Sequence, residues 1–125
     1  MERSYLMTMT ALIIHQIDAA YWKEWDMFFI PGGIQGFLVF NIIVVPVLLW
    51  GYRHVILSTD KAIFYSVICS MLGLLTFCIH SIFFIVGFEQ FNLPLSLLVL
   101  LTCLLSSIYQ LERTWKLVNA KRSIG

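Results

Sequence analysis

Three long stretches of this chain carry no formal charge, and they decide what it can fold into. Met27 to Tyr52 has no Asp, Glu, Lys or Arg over 26 residues, Ala62 to Phe88 none over 27, and Gln90 to Leu111 none over 22. A helix needs roughly 20 residues to cross about 30 Å of hydrocarbon, so each stretch is long enough to span a bilayer. The alternative is a soluble protein with three such helices in its core. That alternative needs a polar coat, and a chain of 125 residues that is 60% hydrophobic and 12% charged has none to spare. The apolar runs are continuous rather than alternating, which points to helices and away from a barrel.

The expectation is an all-α fold, a polytopic transmembrane four-helix bundle forming one integral-membrane domain over residues 1–125. The crossings are placed at about 5–21, 33–52, 62–87 and 94–112. Breakers match the joints: PGG at Pro31 to Gly33, LSTD at Leu57 to Asp60 and FNLP at Phe91 to Pro94. The first crossing is the difficult one. Ser4 to Ile17 is uncharged for only 14 residues, so a full span must take in Asp18 and part of the YWKEW edge.

Basic residues set the orientation. With four crossings, Arg3, Arg53, Lys61, Arg113, Lys116, Lys121 and Arg122 share one side, and Lys23 stands alone on the other with Glu24, Asp26 and Glu89. The positive-inside rule then places both termini in the cytoplasm. Tyr21, Trp22 and Trp25 gather at the outer edge, where amphipathic rings favour the headgroup region. The lipid bilayer is therefore the expected partner. Nothing reads nucleic acid, since no helix face is basic. No P-loop, Rossmann fingerprint or serine-nucleophile elbow is present. Cys69, Cys78 and Cys103 lie in apolar runs without a CxxC pair and read as small packing residues.

Polar residues recur at one depth. His15 lies seven residues inward from Trp22, His80 seven from Gly87, and Asn41 eight from Gly33. At 1.5 Å per residue all three sit roughly 10–12 Å beneath the outer surface, with Cys103 at the matching level of the fourth span. Asp18 is one turn further out, and Glu24 and Glu89 further still. An ionisable residue inside a membrane is costly unless it is paired, so His15, Asp18 and His80 form the candidate metal- or ligand-binding set. Glu24, Asn41, Glu89 and Cys103 are possible supports. Gly73 permits close helix approach, and Gly32 and Gly36 form a G-x-x-x-G pair suited to a helix contact or a homodimer.

Two imidazoles and a carboxylate can bind zinc or another divalent metal with one position left open. Alternatively, Asp18 can orient His15 for proton exchange with an amphipathic ligand. Haem held between His15 and His80 is a third arrangement.

The run His15, Asp18, Ala19, Glu24, Trp25 resembles a small uncharacterised bacterial family of four-span integral-membrane proteins. Its members carry His, an acid three residues later, Ala, and then an acid-Trp pair. The resemblance implies four spans in a bacterial inner membrane and draws attention to His15 and Asp18; it implies no reaction. The leading functional reading is an outward-opening intramembrane His/Asp site binding a metal ion or small amphipathic ligand. The alternatives are an ion- or proton-coupled transporter acting as a dimer, a membrane enzyme acting on lipid, and a structural or accessory subunit.

Overall fold

The computed structural model describes residues 1–124. Among these residues the fold is all-α. It runs α1 (Glu2–Tyr21), a single turn α2 (Glu24–Met27), α3 (Ile34–Ile56), α4 (Ala62–Val86) and α5 (Pro94–Ile124).

Local sequence explains the boundaries. Gly87 adopts φ +104 at the end of α4, and the N–H groups of Gly87 and Phe88 donate to the carbonyls of Phe84 and Phe83. This is the paired return that a left-handed glycine makes possible. Pro94 opens α5, where its missing N–H is no loss. The 31 residues of α5 span about 46 Å, well beyond the hydrocarbon thickness. Its last turns carry the charges, including the exposed Glu112–Lys116 pair, so the helix continues past position 112 as a polar extension.

Three helices, α3, α4 and α5, are long and apolar enough to cross a membrane. Where the sequence suggested four crossings, α1 falls short of that standard because His15, Gln16 and Asp18 dilute its C-terminal half. Large apolar side chains cover the outside of the molecule: Ile17, Ile42, Ile43, Ile85 and Leu95 are each more than 60% exposed. An apolar exterior of this extent fits a lipid environment, not water.

The long helices form a bundle in which α5 packs on both α1 and α4, and α3 packs on the same two helices from the other side. Helix α1 also lies directly against α4, the contact that positions the site. Small residues make it close. A Cβ added to Gly73 of α4 would strike Ser107 Oγ and crowd the Cys103 carbonyl of α5 and Thr8 of α1. Ser66, Ser70, Cys69 and Cys103 line the same buried zone, and Tyr5, Met9, Leu12 and Leu48 fill around them. Without a hydrophobic drive between helices in lipid, such close packing and interhelical hydrogen bonds supply the cohesion. The bonds are there: Gln110 Nε2 donates to the Ser66 carbonyl at 3.0 Å, Ser66 Oγ meets Thr114 Oγ1 at 2.8 Å, and Tyr5 OH donates to the Leu48 carbonyl at 2.9 Å.

Gly32 and Gly36 have a local role at the entrance to α3. Gly32 sits in the turn before α3 at φ +82, and a Cβ on Gly36 would collide with the Pro31 carbonyl and Ile30. The pair lets the chain fold tightly onto its own first turn of α3.

Gly73→Val is expected to destabilise the bundle by about 1–3 kcal/mol through overpacking. In detergent this reads as a lower thermal unfolding midpoint, with Ile42→Val, on the exposed face of α3, as a contrast that leaves the midpoint nearly unchanged.

Candidate metal centre

The close packing of α1 on α4 brings the His15 and His80 imidazoles together, with Nε2 atoms 3.2 Å apart. The third member comes from the connection after α1. Trp22 ends that helix, and Lys23 adopts a left-handed conformation at φ 52, ψ 53. The chain therefore doubles back, and Glu24, the first residue of α2, reaches inward instead of toward solvent. Its Oε1 lies 3.1 Å from His80 Nε2 and 3.9 Å from His15 Nε2. His15, Glu24 and His80 are 1%, 7% and 5% exposed.

The triangle has too few protons for hydrogen bonding alone. A neutral imidazole bears one N–H, so His80 Nε2 can donate to Glu24 or to His15, but not fully to both. A cation resolves this, because all three atoms then offer lone pairs to one point. Zinc bound tetrahedrally at 2.0–2.1 Å has ligand atoms separated by about 3.3 Å along each edge. Edges of 3.1, 3.2 and 3.9 Å lie close to one face of that tetrahedron. Two histidines and a glutamate leave the fourth position for water or a ligand. Haem does not fit: with the two Nε2 atoms at 3.2 Å and Glu24 beside them, no gap remains for a porphyrin between the rings.

Phe91 closes the site. Its ring lies 4.3 Å from His80 and 5.5 Å from His15 by centroid, and its side chain is buried. It holds φ +68, an uncommon conformation for a bulky residue. Backbone conformations of this kind persist where surrounding packing enforces them, often beside binding sites.

Residues 1–117 match the sequence profile of a single family across nearly the entire chain. The protein belongs to a family of unknown function (DUF6713). No curated protein and no solved structure matches it. The region shared with DUF6713 contains the whole triad and the Phe91 lid.

The other residues singled out in the sequence lie elsewhere. Asp18 is not part of the triad; Glu24 takes the place expected of it. The reason is geometric. Asp18 sits one turn after His15 on a half-exposed part of α1, whereas the reversal at Lys23 folds Glu24 back over His15. Asp18 Oδ2 is buried without a hydrogen-bond partner among the described residues, as is Trp22 Nε1 one turn further on. Asn41 turns back on its own helix, donating to the Phe37 carbonyl at 2.9 Å. Glu89 is exposed in the α4–α5 connection. Cys103 is buried deeper, among Tyr5 and Cys69. The signal for Glu24 was present as the acid-Trp pair; what concealed its role was the assumption that the loop runs outward.

Phe91→Ala is expected to expose both imidazoles while leaving the bundle folded. Carbethoxylation of chelator-treated protein followed by mass spectrometry measures this: His15 and His80 react slowly in the parent chain and quickly in the variant. Half-buried His54 provides an internal reference.

Proposed function

We propose that this protein is a four-span membrane protein holding a divalent metal, with zinc the best fit, between His15, Glu24 and His80. The observation that carries the reading is the convergence of three buried ligand atoms from three separate segments, all within 4.8 Å of one another. Burying that many ionisable groups at membrane depth costs several kcal/mol unless they are paired, and a dication compensates all three at once. In this reading α1 is the first crossing, its polar outer half shielded by α4 and the α2 connection. Both termini face the cytoplasm of a bacterial cell, and the centre opens toward the outer face.

The open fourth position favours a ligand-handling role over a purely structural one, since structural zinc sites are usually closed by four protein ligands. Each residue has its own role. The two imidazoles bind through Nε2. Glu24 supplies the negative charge and accepts from His80 when no metal is bound. Phe91 keeps bulk water away.

Metal analysis of protein purified in mild detergent is expected to give one zinc, or a comparable divalent ion, per chain. His15→Ala, His80→Ala and Glu24→Gln should each weaken binding by more than about 100-fold, beyond the 10–100-fold typical of residues that merely support a ligand. Asp18→Asn should retain the metal. Folded protein that holds no metal under zinc-replete conditions contradicts the reading.

The topology is checked separately by cysteine labelling in intact cells, on a background in which the three native cysteines are replaced. A cysteine at Lys23 or Gln90 should react with an impermeant maleimide, and one at Ser58 or Ser123 should react only after the membrane is opened.

A further inference from the structure

The triad forms one end of a cavity of about 270 Å³ between α1, α3 and α4, and His15, Glu24 and His80 all contribute to its wall. Gln16 and Thr76 also line it, each within one helical turn of a triad histidine; beyond them the lining is apolar, reaching Leu12, Val44, Leu48 and Leu72. From Phe37 near the triad to Leu48 at the far end is 11 residues of helix, about 16 Å. A cavity with polar partners at only one end has little to hold water along its length, and apolar cavities of this type take apolar ligands. Phe40 and Leu75 belong to its wall yet are exposed on the outside of the bundle, so the cavity borders the surface that faces lipid.

We propose that this cavity binds one fatty acyl chain, whose oxygen-bearing headgroup reaches the open position of the centre. The proposal rests on the metal-centre reading for its headgroup half and on the cavity alone for its chain half. The occupant follows from the layout. Two of the three helices around the cavity, α3 and α4, are of membrane length, so acyl chains are the apolar molecules at hand. An apolar slot that follows α3 for about 16 Å, with its polar groups gathered toward one end, matches a chain better than a compact ring system. A carboxylate, phosphate or ester oxygen is the hard donor that a divalent metal with a vacant position accepts.

Photo-crosslinking tests both halves. The protein is reconstituted in phosphatidylcholine vesicles with either palmitic acid or phosphatidylcholine carrying a diazirine on the chain, and crosslinked peptides are mapped with and without excess unlabelled palmitate. Contacts with bulk lipid do not saturate, so the competed fraction reports the cavity. The expected result is competed labelling on residues 37–48 and 72–80, lost in Val44→Trp at unchanged metal content. Val45→Trp serves the same purpose if the first variant misfolds, and Ile42→Trp, on the exposed face of α3, should leave labelling intact. Competed labelling by the free acid alone identifies a free carboxylate, and labelling by the phospholipid alone identifies a bilayer lipid; either supports the proposal. Metal-loaded protein with no competed labelling overturns it and leaves the metal centre standing. Competed labelling in protein that binds no metal overturns the metal reading and keeps the chain site. Equal competition by hexadecane, which has no headgroup, removes the headgroup half.

Discussion

The contact between α1 and α4 is the constraint on which the site depends. Two imidazoles from different helices approach to 3.2 Å only if the helix backbones lie close together along that seam. Gly73 on α4 and Thr8 on α1 meet across that seam and keep side-chain bulk away from it. A larger residue at Gly73 pushes against α5 and α1 together, because the added atom meets both. The separation of His15 and His80 is thus set by residues two turns away. Packing in the interior of the bundle and the geometry of the triad near the α1–α2 junction belong to one design.

That design carries an energetic burden that a simple structural subunit has no reason to bear. An acidic residue at the centre of a membrane helix costs about 2.5–3.5 kcal/mol on insertion scales. Glu24 avoids part of this by entering from a connection and not from a span, and it stays within reach of both imidazoles. Bringing three ligand atoms together and leaving them without a cation would be an expensive way to make a helix contact. Serine and glutamine already do that job at the other end, where Gln110, Ser66 and Thr114 join α4 to α5 through neutral hydrogen bonds. The contrast between the two polar layers is the physical ground for assigning binding to one and cohesion to the other.

The helices were legible because charge-free runs are a coarse, additive signal: α3, α4 and α5 each follow one. The first helix was less legible because His15, Gln16 and Asp18 dilute it: its 20 residues are long enough to cross, but its hydropathy stays below the standard for a crossing. Depth counting put His15 and His80 at one level, since helical rise is constant, but it does not give helix order around the bundle. It also chose Asp18 over Glu24, because rise can be counted along a helix and not through a loop. A left-handed residue such as Lys23 reverses the chain without any glycine or proline to announce it. Phe91 was missed for a related reason: a lone aromatic beside Asn-Leu-Pro reads as a breaker, and its place over both imidazoles exists only once α4 and α5 are assembled.

X-ray absorption at the zinc edge, on zinc-loaded protein in detergent, tests the central claim most directly because it reads the ligand atoms themselves. The account predicts a nearest shell of nitrogen and oxygen at about 2.0–2.1 Å, with the outer-ring scattering of two imidazoles and no sulfur. A sulfur shell near 2.3 Å would move the metal to the buried cysteines, and a shell of six oxygens without imidazole scattering would mean a solvated ion bound nonspecifically. Either result would contradict a centre built from His15, Glu24 and His80.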